Sequence, residues 1–442
     1  MTALDPVRRA WYEAASSRID EARMSGLIRR LTDVHSPTGA ERIVCQLLAE
    51  ELTASGLHAR YQAVQGDSGN CIARVPGSGD GPTVLLYSPI DTHLDAEPAE
   101  DVPWVGPELR ADMLPRTLER DGTLIGLGSS NPKSMVVSIV EAVRAVVEAG
   151  VPLAGDVVAA FCGGGMPWIA VHRGNAGVGS GVSHLLSHGV TADAAVIVKT
   201  WDEVYHEHPG MAWFRITVAG SMGYAGVPRG IPEFRSSIVP AARLILELED
   251  WLVAYPERHR SGEILPQGWV SAVQAGWPTK PAFPSAATEI YVDIRTNPDQ
   301  SLQELETELK SFVRSVAERL GDVDARVDMV VSYPGARTDP GHWIVKSALR
   351  AWQATHGRPY PGPPAMSGIS DAAGIQRAGI PIVRIGYPFR SGDALPEEFR
   401  DGLGGMGAAA AADLVGTVRQ IIHIVVDTCT RTRHELTRLH AA

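Results

Sequence analysis

Ser130 and Lys133 stand three positions apart in SSNPKS, the Ser-x-x-Lys spacing in which a lysine assists a serine nucleophile near a helix start. The bland reading makes Ser130 a helix N-cap. Cys162 precedes Gly163, Gly164 and Gly165. It becomes a thiolate nucleophile if a cation such as Lys199 lies close, and is otherwise an inert buried thiol. The glycine run leaves backbone N–H groups that can cradle an oxyanion, or forms merely a flexible loop. Lys199 ends the apolar run DAAVIVKT. In a pocket it binds a substrate carboxylate or a developing oxyanion, or acts as a base once desolvation lowers its pKa. Otherwise it reaches solvent or pairs with Asp202. His93 lies two residues beyond Asp91, and His206 and His208 form an HxH at strand spacing. Each is a possible metal ligand or, respectively, a polar loop residue and a solvated strand end. Asp371 in SGISDAAG either orients a ligand or caps a helix.

The elements that must position these groups read as α/β. Short β-branched runs at Cys71–Val75, Thr83–Tyr87, Asp156–Phe161 and Ala194–Val198 alternate with helical stretches, the pattern of a sheet with function at its strand ends. Val7 to Arg60 reads as two helices broken at HSPTGAER, with Ser36, Pro37 and Thr38 ending one and capping the next. A helix is expected to follow Asn131, with Pro132 in its first turn and Met135, Val136, Ile139, Val140, Val143 and Val147 as its apolar stripe. From Gly210 the order changes to a strand at Trp213–Val218, a helix at Ser237–Ala254, strands at Trp269–Ala275 and Thr288–Arg295, and a helix at Leu302–Leu320. This is an α+β unit over 210–325 inserted in a discontinuous domain of 1–209 and 326–442.

Composition narrows the function classes. With 442 residues, 44% hydrophobic and 21% charged, the chain is long enough for two or three cores and too apolar for disorder. A net charge of -11 without a basic stripe excludes a general nucleic-acid binder. No apolar run is long enough to cross a bilayer or to serve as a signal-peptide core, so no membrane partner is expected and the cytoplasm is the expected location. The four cysteines, Cys45, Cys71, Cys162 and Cys429, are widely separated and lack a CxxC pair, which excludes a zinc knuckle and a disulfide framework.

Nine motifs in one order carry a resemblance over nearly the whole chain. They are HSPTGAE, GNCIARVPG, LLYSPIDTHLDA followed by Trp104, LIGLGSSNPKS, DAAVIVKT, GMAWFRITVAGSMGYAGVP, EIYVDIRTNPD, SGISDAAGIQRAGIPIVRIG and LPEEF. The chain resembles the zinc-dependent family of acetylornithine deacetylase, succinyl-diaminopimelate desuccinylase, aminoacylase and glutamate carboxypeptidase. The resemblance implies a zinc-peptidase-like catalytic domain with a mixed sheet flanked by helices, plus an inserted α+β dimerisation (lid) domain. It also implies a small-molecule substrate, a homodimer through the inserted domain, and two zinc ions held by two His and three carboxylates, with a further Glu as general base.

Carried over position by position, that ligand set is missing. Pro89 stands where the first His belongs, leaving Asp91 without the partner it orients. Asn131 replaces the bridging carboxylate. Gly164 and Gly165 fall where the Glu-Glu pair belongs, and Val157 to Val171 holds no Asp, Glu or His in any register. Lys199 takes a carboxylate ligand's place, and the last His falls near Ala394, with no His between His356 and His423. Tyr224 replaces the inserted-domain His and keeps a hydrogen-bond donor for an oxyanion. Arg295 matches a position that supports that domain or contacts substrate. The Lys at position 133 is common in the family, so the Ser-x-x-Lys spacing reads as inherited.

These observations lead to a set of expectations. The chain is read as a metal-independent hydrolase of an amide, imide or related C–N bond in a small, carboxylated molecule. Its catalytic candidates are Lys199, Tyr224, Asn131, Cys162, Ser130 and Asp91, and its binding candidates Arg295, His93, Gly164, Gly165 and Asp371. No cofactor is expected. Two alternatives stay open: a non-catalytic homologue that binds a small molecule or partner, and a mononuclear metal hydrolase using His93, His206, His208 or Asp371.

Overall fold

The structure, a computed structural model, describes residues 4–228, 231, 234–400 and 404–441. The chain divides into two compact units, 1–206 with 338–364 and 370–442, and 207–337 with 365–369. The second unit therefore runs past the expected end at 325. The reason is that Ala325–Tyr333 pairs antiparallel with Gly210–Ala219 instead of returning to the first sheet.

The first unit is built on seven strands: β1 (His58–Ala63), β2 (Gly69–Val75), β3 (Val84–Pro89), β4 (Val157–Cys162), β5 (Ala194–Thr200), β6 (Val204–Tyr205) and β7 (Ile382–Tyr387), in the order β1-β2-β4-β3-β5-β7-β6. The β4-β3, β3-β5 and β5-β7 pairs are parallel. Pro89, Cys162 and Lys199 thus come out at the same edge, the carboxyl ends where α/β sheets place their sites.

Strand alternation sends side chains to two cores. Val84, Leu86, Val196 and Val198 pack with helices Glu21–Thr32, Arg42–Ala54, Met135–Glu148, Trp343–His356 and Ala411–Cys429. Leu85, Tyr87, Cys162, Ala195 and Ile197 face the opposite way, with Val182 and Leu185 of helix Ser180–Ser187 and Ala372 and Ile375 of helix Ala372–Arg377. With both faces covered, the strands read as near-continuous apolar runs. Lys199 continues the row of Ala195 and Ile197, so its side chain leaves the sheet on the face that carries Tyr87.

Two local expectations need correction. The amino-terminal region forms three helices, because Asp20 caps a second one by accepting the Arg23 N–H at 3.0 Å. Helix Met135–Glu148 starts later than Asn131, which lies in an irregular turn over Ser129–Ser134. All four cysteines are buried free thiols.

The second unit is a four-stranded antiparallel sheet with Gln267–Ala275 at one edge and Ala325–Tyr333 at the other. Helices Ile238–Val253 and Leu302–Leu320 bury Leu244, Leu248, Leu305, Leu309 and Val313 against Phe214, Ile216, Ile290 and Val292. No helix among the described residues is long and apolar enough to cross a membrane.

Candidate active site at the strand ends

Three carboxyl groups from distant parts of the chain meet at the glycine run after β4. Glu41 accepts the N–H groups of Gly39 at 2.6 Å and Gly164 at 2.8 Å. Asp91 accepts Gly165 N–H at 2.9 Å, Met166 N–H at 3.0 Å and the Thr38 hydroxyl at 2.8 Å. Asp371 accepts the Tyr87 hydroxyl. Gly165 is the hinge of this arrangement. A Cβ there would stand 2.6 Å from Pro89 Cβ, 3.0 Å from Asp371 Oδ2 and 3.2 Å from Asp91 Oδ1, so only a residue without a side chain fits between the two carboxylates.

This corrects the reading of Gly164 and Gly165 as an open oxyanion cradle or contact to substrate. Their N–H groups are already donated to Glu41 and Asp91. It also corrects the motif HSPTGAER, whose small polar residues do not cap the following helix. That helix has no side-chain cap. Thr38 instead holds Asp91, and Ser36 accepts Lys133 Nζ at 2.6 Å.

Burial dominates the electrostatics. All three carboxyls are buried, and desolvation pushes Glu41 up to about 7, with the charge of Asp91 adding to it. Desolvation raises Asp91 as well, against its accepted hydrogen bonds. Asp371 is pushed up to about 7 by burial, with Tyr87 and Lys199 opposing and Asp91 assisting. The same desolvation lowers the Lys199 ammonium to about 8, helped by Arg384 and resisted by Asp371, Asp91 and Glu203. Lys133 is lowered to about 8 by burial and donates to Ile90 O at 2.7 Å.

Lys199 is half-buried and does not take Asp202 for its partner, because Asp202 pairs with His356 Nε2 at 2.6 Å. The second residue after it, just past the end of β5, is unusual. Trp201 has φ 80°, a left-handed conformation that costs a non-glycine residue on the order of 1–3 kcal/mol. Its carbonyl presses on Gly386, where a Cβ would overlap Trp201 O and stand 2.6 Å from Lys199 O. Glu203 then buries its carboxylate against Arg384, and burial holds Glu203 up at about 7 against that guanidinium.

The other sequence candidates fall as follows. Ser130 does not cap a helix: its hydroxyl is 3.2 Å from Tyr387 OH, which also donates to Ser130 O at 2.7 Å. Cys162 is fully buried, and desolvation followed by the charge of Asp371 holds its thiol well above the usual range, which disfavours a thiolate nucleophile. Asp371 sits at a helix N-cap position but makes no capping bond. His93 is buried and kept neutral, lowered to about 4 by desolvation, with Nδ1 lacking a hydrogen-bond partner. Asn131 Oδ1 is likewise buried without a hydrogen-bond partner. His208 is buried, not solvated. Tyr224 and Arg295 belong to the second unit, where Tyr224 packs at 5.9 Å against the Phe283 ring and Arg295 forks onto Asp293 through two 2.7 Å bonds.

The fold has its counterpart in known proteins. The model of peptidase family M20/M25/M40 matches residues 90–401. The chain belongs to that family. Among solved structures similar to this M20 chain, aminopeptidase PepT from Bacillus cereus is 19% identical, with a TM-score of 0.64 over 93% of this chain and 99% of its own. Human carnosine dipeptidase 1 is 13% identical, with a TM-score of 0.67 over 96% and 99%. An amidase of the hydantoinase/carbamoylase family from Burkholderia multivorans is 14% identical, with a TM-score of 0.61 over 94% and 99%. At these identities the likeness establishes an M20 fold, the fold of a hydrolase family, with a second α+β domain. Among the described residues, no group of three or more His, Cys, Asp or Glu side chains is disposed to hold a metal ion.

Glu41, Tyr87, Glu203 and Arg384 were not singled out from the sequence. Glu41, Tyr87 and Arg384 lay inside quoted motifs, HSPTGAE, LLYSPIDTHLDA and SGISDAAGIQRAGIPIVRIG, without being picked out.

Proposed function

We propose that this M20 chain is a hydrolase of an amide, imide or related C–N bond in a small carboxylated molecule, working without the zinc pair. The observation that carries the reading is the meeting of Asp91 and Asp371 around Gly165 at the sheet's carboxyl edge, where Lys199 also leaves its strand. There the two aspartates are buried and Lys199 is half-buried. Family membership supports hydrolysis of a C–N bond.

The donor chemistry does not suit two zinc ions. Pro89, Asn131, Gly164, Gly165, Lys199 and Ala394 stand where imidazoles and carboxylates are expected, and an ammonium repels a divalent cation. The remaining carboxyls turn oxygens to backbone N–H groups and hydroxyls, with Glu41 Oε2 buried and unpartnered.

In the proposed reaction, Asp371 takes a proton from water as the water oxygen bonds to the carbonyl carbon. The carbonyl π pair moves to oxygen and is stabilised by the Lys199 ammonium. Collapse breaks the C–N bond, and the proton passes from Asp371 to the leaving nitrogen. His93 Nδ1 and Asn131 Oδ1, buried without partners, are available to a substrate amide, since buried polar groups are otherwise paired.

The test is a turnover screen of N-acyl amino acids, cyclic imides and heterocyclic amides with wild type, Lys199→Met and Asp371→Asn. Hydrolysis by wild type, lost in both variants, supports the reading. Substrate binding without turnover in wild type makes the chain a non-catalytic binder instead.

We further propose a homodimer through the second unit. Its edge strand Gln267–Ala275 exposes Trp269 and Val273, and the helix Ile238–Val253 exposes Leu246 and Val253. An exposed edge carrying apolar groups calls for a cover. Light scattering on wild type and Trp269→Glu checks it, a monomeric wild type being the contrary result.

A further inference from the structure

Just beyond Lys199 the chain sets out an aromatic surface that the reaction above does not use. The Trp201 ring stacks on Phe389 with centroids 4.9 Å apart and planes 22° apart. Trp201 nonetheless remains 41% exposed. The two rings follow neighbouring parallel strands: Trp201 comes directly after Thr200, the last residue of β5, and Phe389 two residues after Tyr387, the last of β7, with Lys199 opposite Gly386 in the pairing.

The backbone is strained to place this ring. Trp201 takes a left-handed φ of 80°, which an L residue with a bulky side chain avoids. The close approach of its carbonyl is possible only because position 386 is glycine. The loop does not need the indole for anchorage, since Asp202 is tied to His356 and Glu203 to Arg384 in the next two positions. A large apolar side chain held in a costly conformation, stacked on one partner and still partly open, is not packed as a core residue.

We infer that the Trp201–Phe389 stack is the specificity platform of the site, seating a flat aromatic or heteroaromatic group of the substrate while the scissile carbonyl lies at Lys199. The substrate class is then an aryl-bearing carboxylated amide. This rests on the reading of Lys199 as the charge that receives the oxyanion.

Calorimetric binding of N-benzoylglycine and N-acetylglycine to the full chain tests it, because the two probes share amide and carboxylate and differ in the ring. Wild type binds the benzoyl compound about tenfold more tightly. Trp201→Ala abolishes that preference, Trp201→Phe restores most of it, and N-acetylglycine binds all three alike. Equal or undetectable binding of the two probes to wild type overturns the inference, as does a ring preference that survives in Trp201→Ala. Lys199→Met separates the two readings: it keeps the ring preference while losing turnover. If instead it turns over normally, the catalytic reading fails and the ring preference still decides the platform.

Discussion

Asp91 Oδ1 accepts the Gly165 N–H at 2.9 Å, and the space a side chain at 165 would fill is bounded by Asp91 and Asp371 together. The glycines after β4 therefore let a backbone loop reach between carboxyls brought there by the end of β3 and the start of helix Ala372–Arg377.

Gly165→Ala is expected to destabilise the first unit by about 1–3 kcal/mol, the usual range for overpacking. The nearest obstacle, Pro89 Cβ at 2.6 Å, belongs to β3 and cannot swing away. Urea unfolding of the full chain checks this, and an unchanged midpoint would contradict the packing described.

Asp371→Asn should gain stability relative to wild type as pH rises. The folded carboxyl titrates near 7 and its ordinary value is 3.8, so the folded state binds the extra proton between those values. The stability this group contributes is complete below about pH 4 and is lost as pH rises through 7. Removing the carboxyl removes that loss, which is on the order of 4 kcal/mol at pH 8. Unfolding of both proteins at pH 5 and pH 8 measures the difference. A relative gain at pH 5 instead would reverse the sign.

Arg384→Met leaves the buried Glu203 carboxylate without its guanidinium and should cost about 3–5 kcal/mol at pH 8. Adding Glu203→Gln should recover a good part, because the uncompensated charge is then gone. Thermal unfolding of the three variants checks the pair, and a double variant no better than the single would contradict it.

Much of the fold was legible because apolar runs and turns are local signals. Ala194–Val198 extends by two residues in the structure, and Leu302–Leu320 is found as expected. The split at Asp20 was not legible, since an aspartate inside an amphipathic stretch announces a cap only once its carboxylate is seen to accept the Arg23 N–H. Asp91 and Lys199 stood out in the sequence because each follows an apolar strand run, and the structure places both at the carboxyl edge of the sheet. Glu41 was missed because its role depends on Gly164, 123 positions away. Ser36 and Thr38 looked like helix caps because the same hydroxyl chemistry serves caps and carboxylates alike.

The reaction requires Asp371 ionised and Lys199 protonated, groups lying near 7 and near 8. kcat should therefore trace a narrow bell, rising through about pH 7 and falling through about pH 8 as properties of the coupled pair. Lys199→Met should lower kcat by about 10²–10³, the typical loss of an oxyanion stabiliser. A flat profile over that interval would contradict these assignments.

The most direct test is turnover by wild-type protein after exhaustive chelation, with metal content measured on the same sample. The account predicts undiminished C–N hydrolysis with less than one divalent ion per ten chains. Hydrolysis abolished by the chelator and restored by zinc would contradict it.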